Sequence, residues 1–419
     1  MKQTFSRLTL ALVLASGMAA VASPAFAAIN YPVVLVHGFA GFGRNEALGY
    51  KYWGGLTDLQ ETVKAQYADQ KVYTAVVGPF SSNWDRATEL YYQIKGGCVD
   101  YGSAHAQAHG HSRYGRCFPG LYPQWDAAHP VHLVSHSMGG QTTRALVQML
   151  AANGAPNNAG LFGSTPVSSR WVKSVTTISS PNDGTTLANI ITDYVPFVQG
   201  LVVGIGGLAG ASDATTDNVY DFKMDQWDIA PKAAGETFGS YVSRVMASPL
   251  WNNKNVKDLS PYDLSPKGAA DLNAWVADQP NVYYFSYATR SSFTGALTGW
   301  EYALPTANVL ISAFHDPGFM GNYTRNEAGY PVIDSSWWKS DGVVNTRAMK
   351  APTIKACGAG FCATGSVVND ISGGGVPQVG KWNYKGLMDG WDHLDIVGWT
   401  LFWDSTSWYK QHIDQLRSL

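Results

Sequence analysis

The sequence predicts an α/β protein whose central sheet is mostly parallel and flanked by helices. Short β-branched runs typical of buried strands alternate along the chain with stretches of helical periodicity. This alternation is typical of parallel sheets, because their crossover connections place helices over both faces. The 419 residues are 45% hydrophobic and only 14% charged, which excludes a disordered, fibrous or coiled-coil protein.

Five strands and three helices are predicted in chain order. The strands are Val33 to Val36, Val72 to Val77, Val131 to Ser135, Val172 to Ile178 and Val282 to Tyr287. The helices are Trp84 to Ile94, Gly139 to Ala152 and, at the C-terminus, about Ser405 to Leu416. A Gly-rich stretch from Ser372 to Gly380 is predicted to be a surface loop.

Residues 1–27 have the pattern of a secretory signal peptide, with cleavage expected after Ala27. Lys2 and Arg7 form the basic region, and an apolar run and a small-residue site follow. Loss of these two charges takes the formal net charge from −2 to −4, whereas a nucleic-acid partner would require a basic excess. We therefore expect a secreted, extracellular domain over residues 28–419 that does not bind nucleic acid.

The four cysteines are an even number in an exported chain, which predicts two disulfides. Three pairings are arithmetically open. The pairs Cys98 with Cys117 and Cys357 with Cys362 close the shortest loops and are preferred. A metal role is disfavoured because no Cys-x-x-Cys spacing occurs.

Two stretches look inserted into the α/β core. One, from Cys98 to Gly120, is rich in Gly, Ala and His, and the other runs from about Leu187 to Pro249. The second contains an apolar run from Tyr194 to Ala211, which Gln199 and five glycines interrupt. We expect no transmembrane segment here.

The segment from Val131 to Gly140 predicts a strand, a sharp turn at Ser137 and then a helix. This is the context of a nucleophile elbow, in which small neighbours allow the chain to fold back around a strained serine. Ser135 occupies the first glycine position of Gly-x-Ser-x-Gly, so the motif is imperfect. The flanking strand, Gly139-Gly140 and the following helix nevertheless predict Ser137 as the nucleophile.

A serine nucleophile needs a histidine base and a carboxylate that orients it, in the chain order Ser, acid, His in α/β-hydrolases. His393, just before the last helix, is the predicted base. Asp341 is the preferred acid, with Asp183 and Asp392 as rivals. The backbone amides of Met138, after the nucleophile, and Phe39, in a glycine-rich loop after the first strand, are predicted to form the oxyanion hole.

Clustered imidazoles are good zinc ligands, and His105, His109 and His111 lie together inside the loop between Cys98 and Cys117. The spacing alone is equally consistent with an exposed histidine-rich loop that binds no metal. It does not identify the other ligands that a tetrahedral site requires.

The chain resembles the zinc-containing thermoalkaliphilic bacterial lipases, a family of secreted α/β-hydrolases whose relatives include polyester-hydrolysing enzymes. The matching blocks follow in the same order over nearly the whole mature length and include Leu35-Val36-His37-Gly38-Phe39, Lys51-Tyr52-Trp53-Gly54-Gly55, Ser81-Ser82-Asn83-Trp84-Asp85, His109-Gly110-His111 and Asp183-Gly184-Thr185-Thr186-Leu187. The resemblance implies the α/β-hydrolase fold, the triad Ser137, Asp341 and His393, and an oxyanion hole at Phe39 and Met138.

The resemblance also implies one structural zinc ion. By position, the two carboxylates and two histidines that hold the family's metal match Asp85, His105, His111 and Asp225, with His109 outside the ligand set. The zinc-binding insertion would comprise residues of about 85–120 and 212–249. A calcium site is doubtful, because Asp395 matches one family ligand but the next Asp is missing.

The run of about 190–211 lies where the family has its lid helix, and a buried core helix is the alternative. An apolar lid favours substrates at a water–lipid interface. We therefore expect a serine carboxylester hydrolase, foremost a triacylglycerol lipase or esterase, with a polyester hydrolase as the alternative. A non-catalytic surface-binding protein is a more remote alternative.

Overall fold

The computed structural model describes residues 30–154, 160–191, 194–208, 219–252, 257–400 and 402–419. The predicted signal peptide and its cleavage site lie outside these ranges. So do residues 192–193 and 209–211 of the predicted lid and residues 212–218 of the predicted zinc-binding insertion.

The central sheet contains seven strands, and each neighbouring pair in it is parallel. The strands of the chain are β1 (Val33–Val36), β2 (Val72–Ala75), β3 (Gly97–Asp100), β4 (Tyr114–Phe118), β5 (Val131–His136), β6 (Val172–Ile178), β7 (Tyr283–Arg290), β8 (Ser292–Thr294), β9 (Glu301–Ala303), β10 (Ile354–Cys357), β11 (Gly360–Ala363), β12 (Val368–Asp370) and β13 (Trp382–Asp389). The order in the sheet is β12-β13-β7-β6-β5-β1-β2, which confirms the predicted parallel architecture.

The predicted helices form within one residue of the expected bounds. The helices are α1 (Leu59–Gln66), α2 (Asn83–Lys95), α3 (Ser103–His109), α4 (Met138–Ala152), α5 (Leu187–Ile190), α6 (Tyr194–Leu208), α7 (Phe238–Met246), α8 (Ser260–Leu264), α9 (Pro266–Trp275) and α10 (Ser405–Arg417). α2 begins where the Ser82 side chain accepts a hydrogen bond from the Asp85 amide, and it ends at Gly96, whose φ is 95°.

Strand β1 is apolar throughout because both faces of the sheet are covered there. In β1, Val33 and Leu35 join a core cluster that includes Ile413 of α10, whereas Val34 and Val36 join the cluster on the opposite face with α2 and α4. Successive side chains of a strand point to opposite faces, so a strand buried on both sides can be apolar at every position. This packing holds β1 between β5 and the edge strand β2.

Strands β12 and β13 were not predicted. The sequence of β13 contains Asn383, Lys385 and Gly386 and lacks β-branched residues, so no strand periodicity is visible in it. Its pairing with β7 depends on tertiary contacts, among them a 3.0 Å hydrogen bond that the Asn383 side-chain Nδ2 donates to the Tyr284 carbonyl. The Gly-rich stretch 372–380 is indeed the loop between β12 and β13.

Both predicted disulfides are present, each within a two-stranded antiparallel hairpin. Cys98 is bonded to Cys117 across β3 and β4, and Cys357 is bonded to Cys362 across β10 and β11. In the described part of the chain, no helix combines the length and apolar character needed to cross a membrane.

Candidate active site and metal site

Ser137 lies in a strained turn between β5 and α4. Its φ of 56° and ψ of −132° are unusual for a residue with a side chain, and such strain is found mostly at functional sites. The turn is tight because its neighbours lack side chains. A Cβ on Gly139 would lie 2.4 Å from the Val36 carbonyl oxygen, and one on Gly38 would lie 2.6 Å from the Ser137 Cβ.

Ser135 is accommodated where the motif usually has glycine. The residue is fully buried at the end of β5, and its hydroxyl donates a 2.6 Å hydrogen bond to the Thr176 carbonyl of β6. A buried hydroxyl with a hydrogen-bond partner costs little. The imperfect motif is therefore compatible with the elbow.

Asp341 holds the imidazole of His393. The Asp341 Oδ2 lies 2.8 Å from His393 Nδ1 and also accepts a 2.7 Å hydrogen bond from the Thr289 hydroxyl. The Oδ1 accepts from the amides of Val343 and Val344 at 3.0 and 2.8 Å. This carboxylate is thus fixed by the backbone, and His393 Nδ1 must carry the proton that it donates to Asp341.

The two rival carboxylates are occupied elsewhere. Asp183 accepts from the amides of Thr353 and Ile354 at 2.7 and 3.1 Å. Asp392 Oδ1 accepts from the amides of Leu394 and Asp395 within its own turn. Of the three candidate acids, Asp341 is the one whose carboxylate meets His393 Nδ1.

Ser137 and His393 line the same cavity, which has a volume of about 370 Å³. One face of α6 forms part of its wall through Phe197, Leu201 and Ile205. The remaining lining residues are mostly apolar and include Ala40, Leu187, Leu310, Ile311, Phe314, Val343, Leu394 and Trp399. An apolar cavity with a few polar groups at the nucleophile suits an ester with an apolar acyl chain.

Of the two residues predicted for the oxyanion hole, Met138 directly follows Ser137, and Phe39 directly follows Gly38, which lies against Ser137. Phe39 lines the cavity, and its ring lies 6.4 Å from that of Phe197 on α6. Met138 is the first residue of α4, where an α-helix leaves amides without an intrahelical acceptor. The residue is fully buried directly after the nucleophile.

Two further histidines beside the elbow are held neutral. Burial and, secondarily, the Arg86 guanidinium lower the pKa of His37 well below its ordinary value. Its Nε2 accepts from the Val77 amide at 3.1 Å, so Nδ1 carries the proton and donates to the Gly38 carbonyl at 2.8 Å. Burial and the His393 imidazole likewise lower the pKa of His136.

A second cluster brings together Asp85, His105, His111 and Asp258, whose potential ligand atoms all lie within 4.8 Å of one another. The His105 Nε2 lies 3.2 Å from both Asp85 Oδ1 and Asp258 Oδ2, and His111 Nε2 lies 3.2 Å from the same Asp258 oxygen. The carboxylates are 2% exposed or less. Three of the four predicted metal ligands are thus adjacent.

The structure does not bring Asp225, the predicted fourth ligand, into this cluster, and Asp258 lies there instead. The Asp225 carboxylate accepts instead from the Arg116 guanidinium of β4, which also binds Asp221. The following residue, Gln226, donates to Asp85 Oδ2 at 2.9 Å. Asp258 lies outside the predicted insertion of 212–249 and carries no sequence signal, since only the fold brings it to His105 and His111.

The cluster fits a tetrahedral zinc ion. Zinc bonds of about 2.0–2.1 Å to nitrogen and oxygen imply ligand atoms roughly 3.3 Å apart. Three of the separations here are 3.2 Å, and His111 Nε2 lies 3.9 Å from Asp85 Oδ1. His111 Nε2 and Asp258 Oδ2 are buried and have no hydrogen-bond partner among the described residues. Buried polar atoms without a partner are costly, and a shared cation would satisfy both.

The doubtful calcium position involves Asp395, whose Oδ2 accepts a hydrogen bond from the Asp392 amide at 2.8 Å. Burial and the Asp392 carboxylate raise the pKa of Asp395 to about 6. Within the described ranges, the cluster at Asp85 is the one arrangement of three or more His, Cys, Asp or Glu side chains suited to a metal. That the chain lacks the family's calcium site stays a prediction.

Comparison with known proteins identifies the family. The family model of the lipase-like C-terminal domain matches residues 29–416 of the sequence. The chain belongs to this family. It is 34% identical over 382 residues to Lipase 2 of Staphylococcus aureus (strain MSSA476). The matched region covers 88% of this chain and 50% of that protein. The chain therefore spans about half the length of the curated relatives it matches.

Three solved structures share the fold of this lipase-like domain. EstA from Clostridium botulinum is 42% identical, with a TM-score of 0.80 over 93% of this chain and 88% of that one. Lipase 1 from Pelosinus fermentans is 44% identical, with a TM-score of 0.78 over 93% and 99%. Staphylococcus hyicus lipase is 29% identical, with a TM-score of 0.70 over 93% and 96%.

Proposed function

We propose that this lipase-like domain is a secreted serine carboxylester hydrolase that cleaves lipid esters. The observation that carries the proposal is the strained Ser137 in one apolar cavity with His393, whose Nδ1 is held by Asp341 at 2.8 Å. Relatives named as lipases support the same activity. Secretion rests on the signal-peptide pattern of residues 1–27.

The proposed reaction uses the chain's own groups and needs no organic cofactor. His393 Nε2 takes the proton of the Ser137 hydroxyl as its oxygen attacks the ester carbonyl. His393 then passes this proton to the leaving alcohol, while Asp341 stabilises the imidazolium. The amides of Phe39 and Met138 would bind the oxyanion, and water would then cleave the acyl-enzyme by the same steps.

We further propose that Asp85, His105, His111 and Asp258 hold one zinc ion with a structural role. Four protein ligands leave no position for a catalytic water, which distinguishes structural from catalytic zinc. None of the four lines the cavity at Ser137. Zinc would therefore stabilise the α3 region without entering the reaction.

Hydrolysis rates test the proposed activity. The wild-type protein should hydrolyse p-nitrophenyl esters of increasing chain length and emulsified triglyceride, and an organophosphonate ester should label it on Ser137. Ser137→Ala should abolish hydrolysis and labelling. Ser243→Ala, on the exposed face of α7, should leave hydrolysis and labelling unchanged. Absence of labelling would favour a non-catalytic surface-binding protein. Faster cleavage of a polyester film than of triglyceride would identify a polyester hydrolase.

A further inference from the structure

A chain of buried hydrogen bonds connects the loop before Phe39 with the loop of His393. The Gly38 amide lies 2.9 Å from the Tyr52 hydroxyl, which lies 2.6 Å from His136 Nδ1. On the other side of the ring, His136 Nε2 lies 2.9 Å from the His393 carbonyl oxygen. Tyr52 and His136 are 7% and 1% exposed, so little water competes for these groups.

The direction of every hydrogen bond in this series follows from its terminal groups, the Gly38 amide and the His393 carbonyl. The His393 carbonyl can only accept, so His136 Nε2 carries the proton and donates. Burial keeps the imidazole neutral, and its Nδ1 is then an acceptor for the Tyr52 hydroxyl. The Tyr52 oxygen in turn accepts from the Gly38 amide. Each polar group is satisfied in a single arrangement, which defines the relative positions of the two loops.

The series of hydrogen bonds begins at Gly38 beside the nucleophile and ends at the backbone of His393, the proposed base. A Cβ on Gly38 would lie 2.6 Å from the Ser137 Cβ and 3.0 Å from its Oγ, so Gly38, the residue before Phe39, lies directly against the nucleophile. The His393 backbone is also held by its amide, which donates to the Asp341 carbonyl at 3.0 Å. His136 immediately precedes Ser137 in the sequence and connects Tyr52 with His393 through hydrogen bonds.

We propose that Tyr52 is a positioning residue, which holds the Gly38–Phe39 segment against Ser137 and is anchored through His136 to His393. This inference rests on the proposed function. The Tyr52 hydroxyl takes no part in proton transfer. Its effect is geometric, because oxyanion donors act only when they lie within hydrogen-bond reach of the developing charge.

The first test removes the hydroxyl in Tyr52→Phe. We expect kcat on a short p-nitrophenyl ester to fall about 10- to 100-fold while KM changes less than about 3-fold, because a misplaced donor weakens transition-state binding more than substrate binding. Tyr50→Phe is the matched control, since the Tyr50 ring also packs on Trp399 and its hydroxyl has no hydrogen bond among the described residues. A loss of less than 3-fold in Tyr52→Phe would overturn the proposal.

A thionoester separates oxyanion positioning from a general loss of structure. Sulfur accepts hydrogen bonds weakly, so the preference for the oxygen ester over its thionoester measures the oxyanion hole. We expect Tyr52→Phe to lower this preference at least 5-fold. Equal losses on both substrates would indicate a merely structural role and overturn the proposal.

Substitutions of His136 keep the inference testable if Tyr52→Phe does not fold. Glutamine can replace the imidazole as a paired donor and acceptor, so His136→Gln should retain kcat better than His136→Leu by about 10-fold or more. Equal activity of the two variants would contradict the proposal. Organophosphonate titration of the wild-type protein distinguishes the two failures: an unlabelled wild type refutes the proposed function, whereas a labelled wild type with fully active variants refutes only the role of Tyr52.

Discussion

At the scale of single residues, the site combines backbone strain at Ser137 with a heavily constrained Asp341. Four hydrogen bonds fix the Asp341 carboxylate, and one of them is to His393. Such a carboxylate needs no reorganisation when the imidazole becomes charged. The orientation of His393 is therefore set before substrate arrives.

The triad residues should act as one unit. We expect Asp341→Asn to lower kcat about 10⁴-fold, because an amide favours the wrong imidazole tautomer. Adding His393→Ala should cost little more. Asp183→Asn should leave kcat nearly unchanged, although loss of its buried hydrogen bonds should lower the melting temperature. Steady-state kinetics on a p-nitrophenyl ester measure kcat of these variants, and thermal unfolding measures the melting temperature. A large loss of kcat in Asp183→Asn with little loss in Asp341→Asn would make Asp183 the acid.

The metal ligands can be distinguished by metal content. Asp258→Asn should lower bound zinc from about one per chain to below about 0.2, because a buried neutral amide is a poor zinc ligand. Asp225→Asn should leave zinc unchanged and cost at most about 1 kcal/mol, since its ion pair with Arg116 is partly exposed. Elemental analysis after gentle purification checks both, and loss of zinc in Asp225→Asn alone would restore the original ligand set.

At the scale of elements, α6 has two apolar faces with different partners. Val198 and Val202 are fully buried in the core cluster with α7, whereas Phe197 and Leu201 face the cavity at Ser137. Val203 is 50% exposed. The predicted lid and the alternative core helix thus each describe one side of this helix, and whether it opens remains a prediction.

The neighbouring valines of α6 should respond differently to serine. Val202→Ser should lower the free energy of unfolding by about 2–3 kcal/mol, because it removes a fully buried apolar side chain. Val203→Ser should change stability by less than about 0.5 kcal/mol, yet lower activity on emulsified relative to dissolved ester if α6 meets the lipid surface. Thermal unfolding and parallel assays on the two substrate forms are the measurements. An unchanged substrate ratio in Val203→Ser would remove this face from the interface.

At the scale of the whole molecule, the region from β3 to β4 is constrained in two ways. The disulfide between Cys98 and Cys117 closes this region at its base. The Asp85 cluster joins α3 to α2 and to the segment before α8. Both constrain the same stretch of chain.

Disulfide and metal should therefore overlap in their effects on stability. Closing a loop with a sequence separation of 19 contributes about 3 kcal/mol on the loop-entropy estimate. Because bound zinc already orders this loop, Cys98→Ala/Cys117→Ala should lower the melting temperature more in chelator-treated than in zinc-loaded protein. Chelation itself should lower the melting temperature before it affects kcat at 25 °C. Equal shifts with and without zinc would indicate two independent elements.

The sequence by itself determined the features that depend on neighbouring residues. Periodicity located β1, β5, β6, α2 and α4 because each buries a regular pattern of apolar side chains. The elbow at Ser137 and both disulfides were also predictable, since small residues around a turn and closely spaced cysteines are local signals. Chain order and loop context predicted His393 as the base and favoured Asp341 over the rival acids Asp183 and Asp392, whereas the contact between Asp341 and His393 comes from the fold.

Only the tertiary structure decided which distant groups meet. Asp258 replaces Asp225 beside His105 because the fold brings the start of α8 to α3, and nothing near Asp258 in the sequence indicates this contact. β13 becomes a strand through pairing with β7, and the hydrogen bond from Tyr52 to His136 joins residues 84 positions apart. Such contacts depend on the arrangement of the whole sheet, whereas side-chain periodicity reports only on the element that contains it.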